Sequence, residues 1–278
     1  MKNNEIAALI IAHNPPEILY KTIKKLFEND IYLFIIDNSD NEELRLQKYN
    51  SDLINYHHID NNSLYYSLNY GITEIQSKLN PDFIMILEDD NDLAGSFLEL
   101  KELCASLKNS DLIIMNDRSN SNGEHTLLKV SKKLIGINTY FAKSELFYNI
   151  PFREEFFMDQ GDYDFQINVR KNGGDIYITS WQVIDRLIIG RGNYSFTVLP
   201  FWRNYLLIRN STVLFLEKKL TLFSYFTQFA PHIKNFTINI IDYGLLKFVK
   251  IALEGLIDGK NRNFNNNKVI TLRSISKK

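Results

Sequence analysis

The chain has 278 residues, 45% hydrophobic and 23% charged, enough core for one large domain with or without an appendage. Its single cysteine, Cys104, excludes an intrachain disulfide and fits a reducing compartment, and no uninterrupted apolar stretch approaches the ~18 residues of a membrane-spanning helix. The formal net charge of −1 hides an asymmetry: from Phe201 onward there are 13 Lys+Arg against 4 Asp+Glu, net +9, leaving 19 against 29, net −10, in residues 1–200. An acidic body argues against nucleic acid as a partner, and a basic, aromatic tail suggests a second task for the C-terminal part.

In chain order, Ile6–Ala12 is an apolar run short enough for a buried strand. With no small-residue cleavage site after it, it is read as a strand and not an export signal, so a cytoplasmic location is expected. Asn14 before Pro15-Pro16 predicts a helix start, with Ile18, Leu19, Ile23, Leu26 and Phe27 on one face as far as Asn29. Tyr32–Ile36 predicts a second strand ending at Asp37-Asn38, and Leu53–Ile59 a weaker third. Ser63–Leu79 is expected to be helical, and Phe83–Leu87 a strand buried on both faces. A helix over Ser96–Leu107 carries Cys104 as packing. Asp111–Met115 reads as a strand, followed by a polar, mobile loop over 116–124. A helix from the acidic stretch at 159–164 to about Lys171 stops at Gly173-Gly174, a short strand covers Asp175–Ile178, and helices follow from Pro200. The alternation predicts an α/β fold with a mainly parallel sheet covered on both faces, residues 1–200, followed by a helical region, 201–278.

Three clusters could carry chemistry. Phe83–Leu87 runs directly into Glu88-Asp89-Asp90-Asn91-Asp92, and the carboxyl ends of strands in an open α/β sheet are where ligands bind. Four crowded carboxylates there make sense around a cation, and hard divalent ions prefer carboxylate oxygen; a solvated acidic turn is the plainer alternative. Spacing at i and i+2 lets Glu88 and Asp90 converge as metal ligands while Asp89 turns away. His13-Asn14 and Asp37-Asn38 end the first two strands, where polar groups meet ribose or base; they also suit caps and turns. No Gly-rich phosphate loop is present, so a P-loop or dinucleotide site is not expected. In the second cluster, Asp159, Asp162 and Asp164, one acid is read as a general base for an acceptor hydroxyl, against ordinary helix capping. In the third, Trp202, Tyr205 and Arg209 share a helix face; Arg209 suits a pyrophosphate or a structural salt bridge.

Together these segments resemble the family 2 inverting glycosyltransferases of the GT-A fold, and in particular bacterial rhamnosyltransferase-like members, over roughly residues 5–215. AALIIAHNPP resembles the first strand and its turn, with His13 in place of the usual Tyr; IIDNSD places Asp37 at the nucleobase contact. NNSLYYSLNYGI matches a further segment at Asn62, Asn69 and Gly71, which puts Asn69 beside the donor. LEDDND resembles the DXD motif, with Asp90 as the ligand of Mg²⁺ or Mn²⁺, Glu88 replacing the first acid, and Asp89 at the donor site. FMDQGDYDF resembles the segment that makes Asp162 the catalytic base, and RNYLLIRN the one that ends in Arg209-Asn210. The segment DRLIIGRGN around Gly190 lacks the histidine frequent in that group.

The resemblance implies transfer of a sugar, with dTDP-rhamnose or a UDP-sugar as nucleotide-diphosphate donor, to a hydroxyl of a saccharide acceptor, lipid-linked, in bacterial surface polysaccharide synthesis. In LLKFVKIALEGLID, Lys247, Lys250, Glu254 and Asp258 form one polar stripe on an apolar helix. Packing on the catalytic domain, a peripheral membrane contact and a homodimer contact are the three readings of that helix. Sugar nucleotidyltransferase and non-catalytic nucleotide-binding subunit are the alternatives for the whole chain.

Overall fold

The computed structural model describes residues 5–39, 53–60, 63–117, 125–136, 139–186 and 199–276. The chain divides into two compact units, one of residues 1–152 and 165–187, the other of 153–164 and 188–278.

The first unit is built on an eight-stranded sheet in the order β3-β2-β1-β4-β8-β6-β9-β7. Its parallel half contains β1 (Ile6–Ala12), β2 (Tyr32–Asp37), β3 (Ile54–His58) and β4 (Phe83–Glu88). The other half is mixed: β8 (Tyr140–Lys143) runs antiparallel to β4 and to β6 (Leu112–Ile114). Next, β9 (Ile176–Thr179) is parallel to β6 and antiparallel to β7 (Leu127–Lys129). A separate ribbon pairs β5 (Asn91–Leu93) antiparallel with β10 (Ile184–Arg186), and a short helix α4 (Ser144–Asn149) follows β8 directly. The α/β expectation holds.

Side-chain alternation explains why β1, β2 and β4 read as unbroken apolar runs. Ala8, Ile10, Leu33, Ile35, Met85 and Leu87 share one core with Leu19, Ile23 and Leu26 of α1 (Ile18–Glu28) and Leu100 and Cys104 of α3 (Glu99–Ala105). On the other face of the sheet Leu9 of β1 and Ile36 of β2 meet α2 (Leu64–Lys78), capped by the Ser63 hydroxyl, which accepts from Tyr66 N–H. Gly71 brings α2 close: a Cβ there would lie 2.4 Å from Leu9 Cδ1 and 3.1 Å from Ile36 Cγ1. Cys104 is buried packing, its thiol pushed up to about 12 by desolvation.

Two helix starts differ from the sequence reading. α1 begins at Ile18, not at Pro15: Asn14 takes a left-handed φ of 50°, outside the extended conformation of an N-cap, and its N–H donates to Ser39 Oγ at 2.7 Å. α3 begins at Glu99, three residues later than expected. Phe27, expected on the buried face of α1, is 44% exposed. The loop over 116–124 lies mostly outside the described residues, as do Asn62 and the segment around Gly190.

The second unit contains the loop 153–160, the first turn of α5 (Gly161–Lys171), α6 (Phe201–Leu216), α7 (Leu222–Thr227), α8 (Ile233–Tyr243), α9 (Leu245–Asn261) and α10 (Asn266–Ser276). Its core joins Phe157, Trp202, Tyr205, Leu206, Ile251 and Val269.

Candidate active site

In the first unit the chain reverses its direction of sheet growth between β1 and β4: β2 lies on one side of β1 and β4 on the other. That arrangement leaves a crevice outside the carboxyl ends of the two strands, the place where open α/β sheets take ligands. Register sets Ala12 beside Asp37 and Ile11 beside Glu88, so the polar tips of β1, β2 and β4 meet there.

These tips are tied together. His13 N–H donates to Asp89 Oδ2 at 2.8 Å, and its Nδ1 lies 2.8 Å from the Asn38 carbonyl. A carbonyl only accepts, so Nδ1 carries the proton, leaving Nε2 to accept from the Asn14 amide at 3.2 Å. Asp37 is fully buried. Its Oδ1 accepts from the N–H and hydroxyl of Ser39 at 2.9 and 2.5 Å, and its Oδ2 from Tyr56 at 2.8 Å, with His58 Nδ1 at 3.4 Å. Both carboxylate oxygens are therefore engaged by protein. Tyr56 and His58, on β3, are functional-site neighbours that sequence reading did not single out.

The acidic run divides by partner. Asp89 turns to the His13 backbone, and burial pushes its carboxyl up to about 7. Asp92 points to α1, where Lys25 Nζ is 2.8 Å away. Glu88 and Asp90 converge, as the i, i+2 spacing predicts, and Arg186 joins them: its Nη2 is 2.9 Å from Glu88 Oε2 and its Nε 3.2 Å from Asp90 Oδ2. Asn91 braces the turn, accepting from Glu88 N–H at 3.3 Å and donating to Asp90 Oδ1 at 2.8 Å. Asp90 is raised by burial and by the Glu88 charge, and Arg186 opposes that shift.

Arg186 was missed because its place depends on β10 pairing with β5, where Arg186 stands opposite Asn91. The available signal was charge: so many carboxylates imply a cation close by.

Among the described residues no three His, Cys, Asp or Glu side chains converge as a metal cage. Glu88 and Asp90 do bring two hard carboxylate donors together, a set that Mg²⁺ or Mn²⁺ would accept only with further oxygen ligands. The donor type therefore suits such an ion, and the counter-charge on both carboxylates is the Arg186 guanidinium.

Asn69 is engaged elsewhere in the first unit. Its amide donates to the Phe152 carbonyl and accepts the Phe152 N–H, both at 2.9 Å, so it fixes the backbone just before the chain enters the second unit.

In the second unit, Phe157, Asp159 and Gln160 all have positive φ, 63°, 63° and 66°. This strained path leads into α5 and is gripped from α6. Asn210 donates to the carbonyls of Phe156, Met158 and Asp159 at 3.0, 2.9 and 2.9 Å, and Arg209 to those of Glu155 and Phe156 at 3.2 Å each. Arg209 is fully buried over the Tyr205 ring; besides those backbone oxygens its Nε donates to Asn210 Oδ1 at 2.9 Å, so amide oxygens take the place of the carboxylate of a salt bridge. Of the three acids, Asp159 is bound by Arg203 and Asp164 by Lys219. Asp162 lies between them in the first turn of α5, 8% exposed. Charge pairing thus accounts for Asp159 and Asp164.

Neither a family profile nor a curated protein sequence matches the chain. Solved structures do. The chain is similar to S. aureus TarS 1–349 in complex with UDP-GlcNAc, with a TM-score of 0.62, 14% identity, and coverage of 92% of this chain and 80% of that one. It is also similar to TarS 1–349 in complex with UDP, with a TM-score of 0.53, 14% identity, and coverage of 76% and 65%. GalNAc-T7 with UDP, GalNAc and Mn²⁺ gives a TM-score of 0.57 at 11% identity, covering 75% of this chain; the chain spans about half the length of GalNAc-T7, 48%. At these identities the likeness is one of architecture: the chain has the GT-A fold of these glycosyltransferase structures, and its C-terminal part is helical.

Proposed function

We propose that the chain is a glycosyltransferase that moves a sugar from a nucleotide-diphosphate donor to a hydroxyl of a saccharide acceptor. The observation that carries the reading is the β1/β4 switch point, where His13, Asn14, Asp37, Glu88, Asp89 and Asp90 gather on a fold shared with structures solved with UDP and UDP-GlcNAc. The nucleoside is read as lying along the ends of β1 and β2, near His13, Asn14 and Asp37. The diphosphate is read as lying at Glu88, Asp90 and Arg186. A bound Mg²⁺ or Mn²⁺ would supply Lewis-acid compensation of charge on the leaving diphosphate.

Asp162 is assigned as the general base. It takes the acceptor's hydroxyl proton as that oxygen bonds to the anomeric carbon, while the bond from that carbon to the diphosphate oxygen breaks; attack from the opposite face inverts the configuration. The resemblance to rhamnosyltransferase-like enzymes favours dTDP-rhamnose or a UDP-sugar as donor and a lipid-linked acceptor. Arg186 on the two carboxylates is also what a non-catalytic nucleotide-binding subunit would show.

One experiment addresses both readings. Calorimetric titration with UDP, dTDP and GDP, with and without Mn²⁺, is expected to show binding of one nucleotide. Incubation with the matching sugar nucleotide is expected to show release of the nucleoside diphosphate. Binding without any turnover favours the non-catalytic subunit; binding of none of the three removes the proposal.

A further inference from the structure

In α9 the helix is turned inside out. Its buried positions are Ile251, Gly255, Asp258 and Gly259, while Leu246 is 86% exposed, Leu253 52% and Ile257 56%. Val249 is exposed on the same stripe, at i+3 from Leu246, with Leu253 and Ile257 at i+7 and i+11.

The buried side packs with small and polar groups. A Cβ on Gly255 would come within 2.9 Å of the Tyr205 carbonyl oxygen, and one on Gly259 within 2.6 Å of that of Arg209, so the two glycines four residues apart set α9 directly on the backbone of α6. Beside them Tyr205 donates to Asp258 at 2.8 Å, and Lys268 reaches Asp258 at 2.6 Å and Glu254 at 3.1 Å. Small residues and hydrogen bonds at the helix contact, with long apolar side chains facing out, are the packing pattern of helices whose surroundings are lipid. In water a helix normally presents the opposite side.

The charges around the stripe are positive. Lys247, Lys250 and Lys260 are exposed on α9, and the tail from Phe201 carries net +9. No helix among the described residues is long and apolar enough to cross a membrane. The 17 residues of α9 span about 25 Å, short of the ~30 Å of a hydrocarbon core. Lysine is depleted at the cores of protein interfaces but typical of helices that lie in a membrane surface, which favours lipid over a second copy of the chain.

We propose that the outward stripe of α9, Leu246, Val249, Leu253 and Ile257, docks in the plane of an anionic membrane surface, with Lys247, Lys250 and Lys260 meeting the lipid headgroups. The proposal does not depend on the chemistry assigned to the first unit.

The test is flotation of the full chain with vesicles of phosphatidylcholine plus phosphatidylglycerol and with pure phosphatidylcholine, alongside sedimentation velocity. Wild type is expected to float with the anionic vesicles and much less with the neutral ones. The double variant L246E/L253E is expected to lower the bound fraction about tenfold. Both positions are exposed, so an unchanged circular dichroism spectrum is expected for it. The charge variant K250E/K260E is expected to lose the preference for anionic lipid. Wild type remaining at the bottom with both vesicle types, or L246E/L253E floating like wild type, overturns the proposal. A wild-type dimer that L246E/L253E converts to monomer, without wild-type flotation, assigns the stripe to a second copy and overturns it equally.

Discussion

Arg186 shows how one side chain can determine the state of a site. Glu88 and Asp90 at the end of one strand repel each other, and the guanidinium from β10 offsets both. Replacing it removes the guanidinium that faces both carboxylates. Arg186→Gln is therefore expected to bind Mn²⁺ in the absence of nucleotide roughly tenfold more tightly than wild type, a coupling of ordinary size between neighbouring ligands. Electron paramagnetic resonance of free Mn²⁺ reads this directly, and equal affinities would show that the arginine does not compete for the carboxylates. Asp162 makes the complementary case for the proposed chemistry. Asp162→Asn is expected to lower transfer by at least about 100-fold, the usual contribution of a positioned base, while nucleotide affinity stays within about twofold. Turnover close to wild type would remove the assignment. The polar tips of β1, β2 and β4 could be placed at strand ends from the sequence, because each follows an apolar run short enough for a buried strand. Their engagement could not be read there: Asp37 is held by Tyr56 and His58 across a strand pairing, and no local pattern announces which neighbour a carboxylate will choose.

At the scale of elements, period and punctuation did most of the predicting. β1, β2, β4 and α2 lie within a residue or so of where the apolar runs and Ser63 place them. The short strands β5, β7, β8 and β10 escaped, since three or four residues carry too little periodicity and their partners lie far along the chain. The polar stripe of α9 was also visible, but not its direction: Glu254 and Asp258 are drawn in by Lys268 and Tyr205, and the leucines are left outside. The two glycines under that contact make it testable. Gly259→Ala places a methyl against the Arg209 carbonyl, a backbone atom that cannot rotate away, and is expected to destabilise the second unit by about 1–3 kcal/mol in chemical denaturation. An unchanged midpoint would mean that α6 and α9 separate at no cost.

Across the whole molecule, each unit has its own core, so one unfolding free energy need not describe the chain. Asp258 gives the second unit a pH signature. Burial opposes its ionisation, yet hydrogen bonds from Lys268, Tyr205 and Asn263 outweigh that and hold the carboxyl below its ordinary value. The stability it contributes is complete above an ordinary carboxylate pKa of about 3.9 and disappears as the pH falls through the lower folded value. Thermal scans between neutral pH and about pH 3 are expected to show Asp258→Asn less stable than wild type at neutral pH, with the gap narrowing on acidification. A gap that is constant with pH would assign the loss to packing alone.

The order of units along the chain also has a consequence for the time course of synthesis. The first unit's strands are complete once β9 and β10 have left the ribosome, because β9 pairs with β6 and β7 and β10 with β5. The loop before α5 emerges earlier than β9, but the groups that grip it, Arg209 and Asn210, arrive only with α6. For an interval on the order of seconds at ordinary elongation rates, a growing chain can hold a finished crevice at β1 and β4 while the backbone leading to Asp162 still lacks its clamp. The unit that carries the acidic strand ends can therefore mature before the unit that carries Asp162.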